Sequence, residues 1–121
     1  MPRVIHFEIN VDNPDRATKF YSSTFGWKIE KAGPMDYWLI TTGPDNQPGI
    51  NGAIMKRADP SATTVNTIGV PSVDEFMAKV TKKGGKILTP KTPIPGIGYF
   101  CYCQDTEGNT FGIMQDDPSA K

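Results

Sequence analysis

His6 and Glu8 stand two residues apart in the opening run Val4–Val11, where Ile5, Phe7, Ile9 and Val11 alternate with His6, Glu8 and Asn10. Alternate residues of a strand share a face, so the imidazole and the carboxylate look out from the polar side of one strand. An imidazole titrates near neutrality, at about 6.5, and can serve as a general base or as a donor that orients a ligand. The plainer alternative is a histidine whose ring is simply satisfied by a neighbour or water. Partly desolvated, a carboxylate at Glu8 would have its pKa raised and could shuttle protons, giving an acid–base pair. Otherwise it is an exposed carboxylate at a rim, or one paired with Lys or Arg.

Other candidates are aromatic or sulfur-bearing. Tyr37 and Trp38 are adjacent, so in a strand one packs beneath a helix and the other faces a ligand; alternation leaves open which does which. An aromatic wall suits planar organic molecules. Met55 and Met114 offer a flexible apolar lining, or core filler. Cys101 and Cys103 share a strand face but lie too close for an ordinary structural disulfide. They read as reduced thiols, either facing the ligand or filling the sheet.

Composition limits the partners. The 121 residues carry 13 Lys plus Arg against 13 Asp plus Glu, so the formal charge is zero. With no basic cluster interleaved with aromatics, nucleic acid is excluded as a partner. No apolar run approaches the ~20 residues that cross a bilayer, and MPRVIHFEIN has no signal-peptide pattern, so a cytoplasmic protein without membrane contact is expected. A small uncharged or modestly polar ligand suits this balance.

The elements that must position these residues are legible. Asp12-Asn13-Pro14-Asp15 opens a helix, with Asn13 as N-cap and Pro14 at the first helical position. Ala17, Phe20, Tyr21 and Thr24 form its inner stripe, and Gly26 stops it. Strands follow at Trp27–Lys31, Asp36–Thr42 and Ala53–Lys56, the last two separated by the loop Gly43–Ile50. A strand at Thr63–Val70 then leads to a capping box, Ser72 with Glu75, and a helix striped by Val73, Phe76, Met77 and Val80. Gly84-Gly85 ends it. Lys86–Thr89 is a short strand, the proline-rich Pro90–Gly98 a candidate lid, and Tyr99–Gln104 and Thr110–Gln115 strands joined by the turn DTEGN. The tail Asp116–Lys121 reads as frayed.

Each half is therefore strand, helix, strand, strand, strand. The halves also keep register: Ile9 with Ile68, Val11 with Val70, Asp15 with Asp74, Gly26 with Gly85 and Ile54 with Ile113 all differ by 59 positions (68 − 9 = 59). One register held across both ends points to internal duplication.

The stretches VIHFEINVDNPDRATKFYSSTFGW, PGINGAI and DTEGNTFGI resemble the glyoxalase/bleomycin resistance/dioxygenase group, the vicinal oxygen chelate superfamily, over nearly the whole chain. The combination of FYSSTFGW, PGIN and D-x-E-G-N is specific for the fold. The resemblance implies an α+β protein, a single domain over residues 1–121. Its two tandem βαβββ modules, at roughly 3–57 and 62–116, would form a curved mixed sheet around a concave cavity.

Catalytic relatives bind a divalent metal through the first and last strands of each module. Carried onto this sequence, those positions are His6, Val65 (6 + 59), Gly112 and Ala53 (112 − 59). A metal centre needs three or more N, O or S donors at ~2 Å, and here one position supplies one. No cofactor is therefore expected. The expectation is a metal-free, small-molecule-binding protein of glyoxalase-like type, assembled as a homodimer. Its ligand surface would draw on Tyr37, Trp38, Met55, Cys101, Cys103 and Met114. The alternatives are a lyase or isomerase, related to lactoylglutathione lyase, working through His6 and Glu8, or a metal-dependent enzyme whose centre has moved to His6, Glu8 and the thiols.

Overall fold

The computed structural model describes residues 2–121 of the chain. They form two compact units, His6–Val65 and Asn66–Lys121, the latter taking in residues 2–5. The fold is α+β, and each unit repeats one topology.

In the first unit, β1 (Arg3–Val11, of which the unit holds the part from His6) is followed by α1 (Pro14–Phe25), β2 (Lys28–Lys31), β3 (Tyr37–Thr41) and β4 (Asn51–Lys56), with strand order β2-β3-β4-β1. From His6 onward β1 runs parallel to β4, while β3 is antiparallel to both β4 and β2. The parallel pair needs a long crossover, which α1 and the hairpin β2–β3 supply. Asn13 caps α1 by accepting from the Arg16 N–H at 3.0 Å, and Pro14 opens it. Gly26 closes it at φ 72°, a left-handed conformation that only glycine adopts without cost.

The inner stripe of α1 needs correction. Phe20 is 56% exposed and Thr24 is also exposed. The helix is rotated so that Tyr21 stacks on Trp27, 5.3 Å between centroids and 3° from parallel, and Phe20 is left edge-on to Tyr21 at the surface. Aromatic stacking at the end of the helix has thus set its roll, against the simple 3.6-residue count.

The second unit holds β5 (Thr64–Gly69) from Asn66 onward, α2 (Val73–Lys82), β6 (Lys86–Ile87), β7 (Thr92–Ile94), β8 (Gly98–Gln104) and β9 (Thr110–Asp116), ordered β5-β9-β8-β6. Parallel β5–β9 repeats the β1–β4 pairing, and antiparallel β8–β9 and β6–β8 repeat β3–β4 and β2–β3. Ser72 caps α2 by accepting from the Glu75 N–H at 3.1 Å, while the Glu75 carboxylate pairs with Lys79, 3.5 Å away. The core beneath α2 is Val70, Val73, Cys101, Cys103 and Ile113. The β8–β9 turn is held by Asp105, whose Oδ1 accepts from the N–H groups of Glu107 and Asn109 at 2.8 and 2.9 Å. Bonds from Asn109 first, then Glu107, hold its carboxyl below the usual range.

Two further expectations are overturned here. Pro90–Gly98 is no free lid, because β7 within it pairs antiparallel with β8, Thr92 opposite Phe100 and Ile94 opposite Gly98. Its prolines fall where a strand at the margin of a sheet tolerates a missing donor. The tail does not fray. Asp117 N–H donates to Ile97 O at 2.8 Å, Ala120 O accepts from Gly96 N–H at 2.9 Å, and Ala120 is buried.

Candidate functional site

The register of the first unit sorts its side chains onto two faces. Phe7 lies opposite Gly52 and Trp38 opposite Ile54, while Glu8 lies opposite Ala53 and Tyr37 opposite Met55. Phe7 reaches Trp27 at 6.1 Å between rings, which marks the first set as the face toward α1. His6, Glu8, Tyr37, Ala53 and Met55 share the other. The question left open by alternation is answered: Tyr37 is on the polar face with His6 and Glu8, and Trp38 is on the helix face. Trp38 therefore does not line the polar face with them, and the expectation that it does is corrected.

A hydrogen-bonded chain joins three of these residues. His6 Nε2 lies 2.8 Å from the Tyr37 hydroxyl, and that hydroxyl donates to Glu8 Oε2, also at 2.8 Å. The imidazole and phenol rings are nearly parallel, 16° apart with centroids 6.4 Å apart. Tyr37 reaches the pair across β4, which sits between β3 and β1 and sets the small Ala53 opposite Glu8. Glu8 is only 5% exposed, and a buried carboxylate must be hydrogen-bonded to persist. Burial holds the His6 pKa below its ordinary value, while the nearby Glu8 charge pulls the other way. Burial thus favours the neutral form of the ring.

The second unit shows what stands at the other expected positions. Gly112 and Met114 lie on β9, and Met114 is half-buried opposite Phe100. The Phe100 ring covers Gly112: a Cβ there would come within 2.8 Å of Phe100 Cε2 and 3.1 Å of Thr67 Oγ1. Phe100 in turn meets Tyr102 edge to face at 4.5 Å. Thr67 is 3% exposed and its Oγ1 has no hydrogen-bond partner among the described residues. By register Thr67 is the counterpart of Glu8 (8 + 59 = 67), and these are the buried polar side chains among the described residues.

Cys101 and Cys103 require a correction too. Both are 0% exposed and pack with Val73 of α2, so neither lines a ligand surface. Their sulfurs are 3.8 Å apart, in hydrogen-bond contact and not joined by a disulfide. Burial first, and then the neighbouring Cys101 thiol, pushes Cys103 up to about 12, the reverse of what a metal thiolate needs.

The residues at the metal positions implied by the resemblance do not fit a metal centre. His6 offers one nitrogen; Ala53 and Val65 are buried hydrocarbon, and Gly112 carries no side chain. No group of three His, Cys, Asp or Glu able to hold an ion occurs among the described residues. A centre moved onto the thiols would need side chains that are packed into the α2 core.

Sequence reasoning missed the bridging role of the Tyr37 hydroxyl and the Phe100 ring over Gly112. The first follows once β3 is placed beside β4; the second has no signal in spacing at all.

Comparison with known proteins gives a consistent result. The family model described as Glyoxalase/Bleomycin resistance protein/Dioxygenase superfamily matches residues 3–113. A glyoxylase-like domain-containing protein of Didymella fabae is 33% identical over 112 residues, 88% of each chain. Among solved structures, a methylmalonyl-CoA epimerase in complex with methylmalonyl-CoA and NH4+ superposes with a TM-score of 0.66 at 14% identity, covering 100% of this chain and 99% of its own. The methylmalonyl-CoA epimerase of Mycobacterium tuberculosis gives 0.68 at 13% identity, over 95% and 88%. A structure titled NAD-dependent benzaldehyde dehydrogenase, from Legionella pneumophila, gives 0.65 at 19%, over 93% and 98%. At these identities the structures share a fold, which by itself fixes no reaction.

Proposed function

The chain belongs to the glyoxalase/bleomycin resistance protein/dioxygenase superfamily, and from that premise we propose that it binds a small organic molecule on the polar face of its first unit without a metal ion. The observation that carries this reading is the chain His6–Tyr37–Glu8, with both contacts at 2.8 Å. It supplies polar groups of fixed orientation beside the Met55 side chain, the mixture a small-ligand surface needs. Single-donor chemistry at the four metal positions supports binding without an ion. The epimerase solved with methylmalonyl-CoA makes CoA esters one class to try.

A thermal-shift screen tests the proposal, using small carbonyl compounds, glutathione adducts, planar antibiotics and CoA esters. A true ligand at about 100 times its Kd adds about 2.7 kcal/mol, which is several degrees in Tm. Binding should weaken in His6→Ala. Chelated protein given micromolar Ni, Zn, Mn or Fe should show no shift, and a rise of several degrees with any of them would overturn the metal-free reading.

The same hydrogen-bonded chain supports a second reading, a lyase or isomerase in which His6 and Glu8 move a proton on a small carbonyl substrate. It expects a bell-shaped pH–rate profile and a His6→Ala variant that binds but does not turn over. Retained turnover in that variant sinks it. Assembly as a homodimer fits the exposed Phe20 and Phe25 of α1 and is checked by sedimentation. A cytoplasmic setting fits two unpaired thiols.

A further inference from the structure

We propose that Tyr37 is a positioning residue that fixes the His6 tautomer, leaving Nδ1 as a hydrogen-bond acceptor for a ligand that brings its own acidic O–H or N–H. The inference deepens the binding reading above and rests on it.

Counting hydrogens carries the argument. A phenol has one hydroxyl hydrogen, and Tyr37 spends it on Glu8 Oε2, 2.8 Å away. The Tyr37 oxygen is then an acceptor toward His6 Nε2, also 2.8 Å away. A neutral imidazole carries one N–H, so that hydrogen sits on Nε2 and Nδ1 keeps its lone pair. The donation from Tyr37 to Glu8 Oε2 sets the direction of the whole chain. For Nδ1 no hydrogen-bond partner occurs among the described residues, and it is not among the buried atoms lacking one. The ring thus presents a lone pair of set direction.

That polarity selects a ligand class. A carbonyl or ether oxygen finds no donor at Nδ1, whereas a phenol, enol, carboxylic acid or amide N–H does. Discrimination of this kind is large where the lost hydrogen bond leaves a polar atom unpaired.

His6 is the one histidine of the chain, so its ring nitrogens can be read without assignment ambiguity. Long-range 1H–15N correlation spectra, recorded well above the ordinary histidine pKa of about 6.5, should show Nε2 protonated and Nδ1 bare in the unmodified protein. Tyr37→Phe, folded by circular dichroism, should relax to a mixture of tautomers. A protonated Nδ1 in the unmodified protein, or an unchanged tautomer in Tyr37→Phe, overturns the positioning role.

The ligand class is tested with phenol and anisole, which match in shape and differ in the O–H. Phenol should move the Nδ1 resonance and anisole should not. Equal effects from both, or none from phenol, overturn the acceptor assignment for the ligand. A bare Nδ1 that no probe and no screened compound perturbs separates the cases: the tautomer stands and the binding reading fails.

Discussion

The Phe100 ring occupies the space that any side chain at position 112 would need, with Cε2 2.8 Å and Cζ 3.0 Å from a Cβ built on Gly112. The glycine is what makes room for the ring. Gly112→Ala should cost about 1–3 kcal/mol, the usual penalty of overpacking, and Gly112→Glu more. The two residues should also be coupled. In a Phe100→Ala background the Gly112→Ala penalty should shrink markedly, which urea denaturation of the double-mutant cycle measures. Strict additivity would show that the ring yields freely.

The thiols give a second prediction. Cys101 and Cys103 are fully buried, and Cys103 is pushed up to about 12. Only the thiolate reacts, and a thiol pushed this far up by burial is almost wholly protonated near neutral pH. Native protein should be inert to an aromatic disulfide reagent over minutes, and both thiols should titrate after unfolding in guanidinium. Rapid reaction of the native protein would contradict the packing of β8 against α2.

How much of this could be seen in the sequence depends on the range of the interaction. Caps and periods are local, and Asn13, Pro14, Gly26 and Ser72 all do what their types predict. The pairing of His6 with Glu8 on one face is local as well. Tyr37 could be placed only to one of two faces, because a period of two leaves the sign free until a neighbouring strand fixes it. The roll of α1 was misread because Trp27, outside the helix, decides it by stacking on Tyr21. Pro90–Gly98 and the tail were misread because breaker residues describe the chain's own preferences, whereas β8 and Gly96–Ile97 supply partners from elsewhere in sequence. The ring over Gly112 is side-chain packing between strand neighbours, and no pattern of residue types encodes it.

Docking of the tail makes a third prediction. Removing residues 117–121 deletes the Asp117 N–H bond to Ile97 O and the Gly96 N–H bond to Ala120 O, and uncovers the surface under Ala120. Two net hydrogen bonds of about 0.5–1.5 kcal/mol each, with a small apolar loss, put the cost at roughly 1–3 kcal/mol. Hydrogen exchange locates it: the Gly96 amide should be protected in the full chain and exchange fast in the truncated one. Equal rates would mean that the tail contributes nothing.

The last prediction concerns acid. Burial lowers the His6 pKa in the fold, so the unfolded chain binds a proton more readily than the native one. The sign follows from linkage: stability contributed by neutral His6 is complete above the unfolded value of about 6.5 and is lost as pH falls below it toward the folded value. The limiting slope for one proton is about 1.36 kcal/mol per pH unit. Carboxylates work in a separate window. Asp59, Asp105 and Asp117 are held below 3.8 by hydrogen bonds, so their contributions are present above that value and fade only as pH falls through their lower folded pKa values. Between about pH 6.5 and 5 the slope therefore belongs to the imidazole. In His6→Gln, which keeps a side-chain amide able to donate to Tyr37, the stability measured by denaturant titration should be flat across that interval while the loss below it remains. A slope retained in His6→Gln would assign the acid sensitivity to another group and remove the case for a desolvated imidazole beside Tyr37.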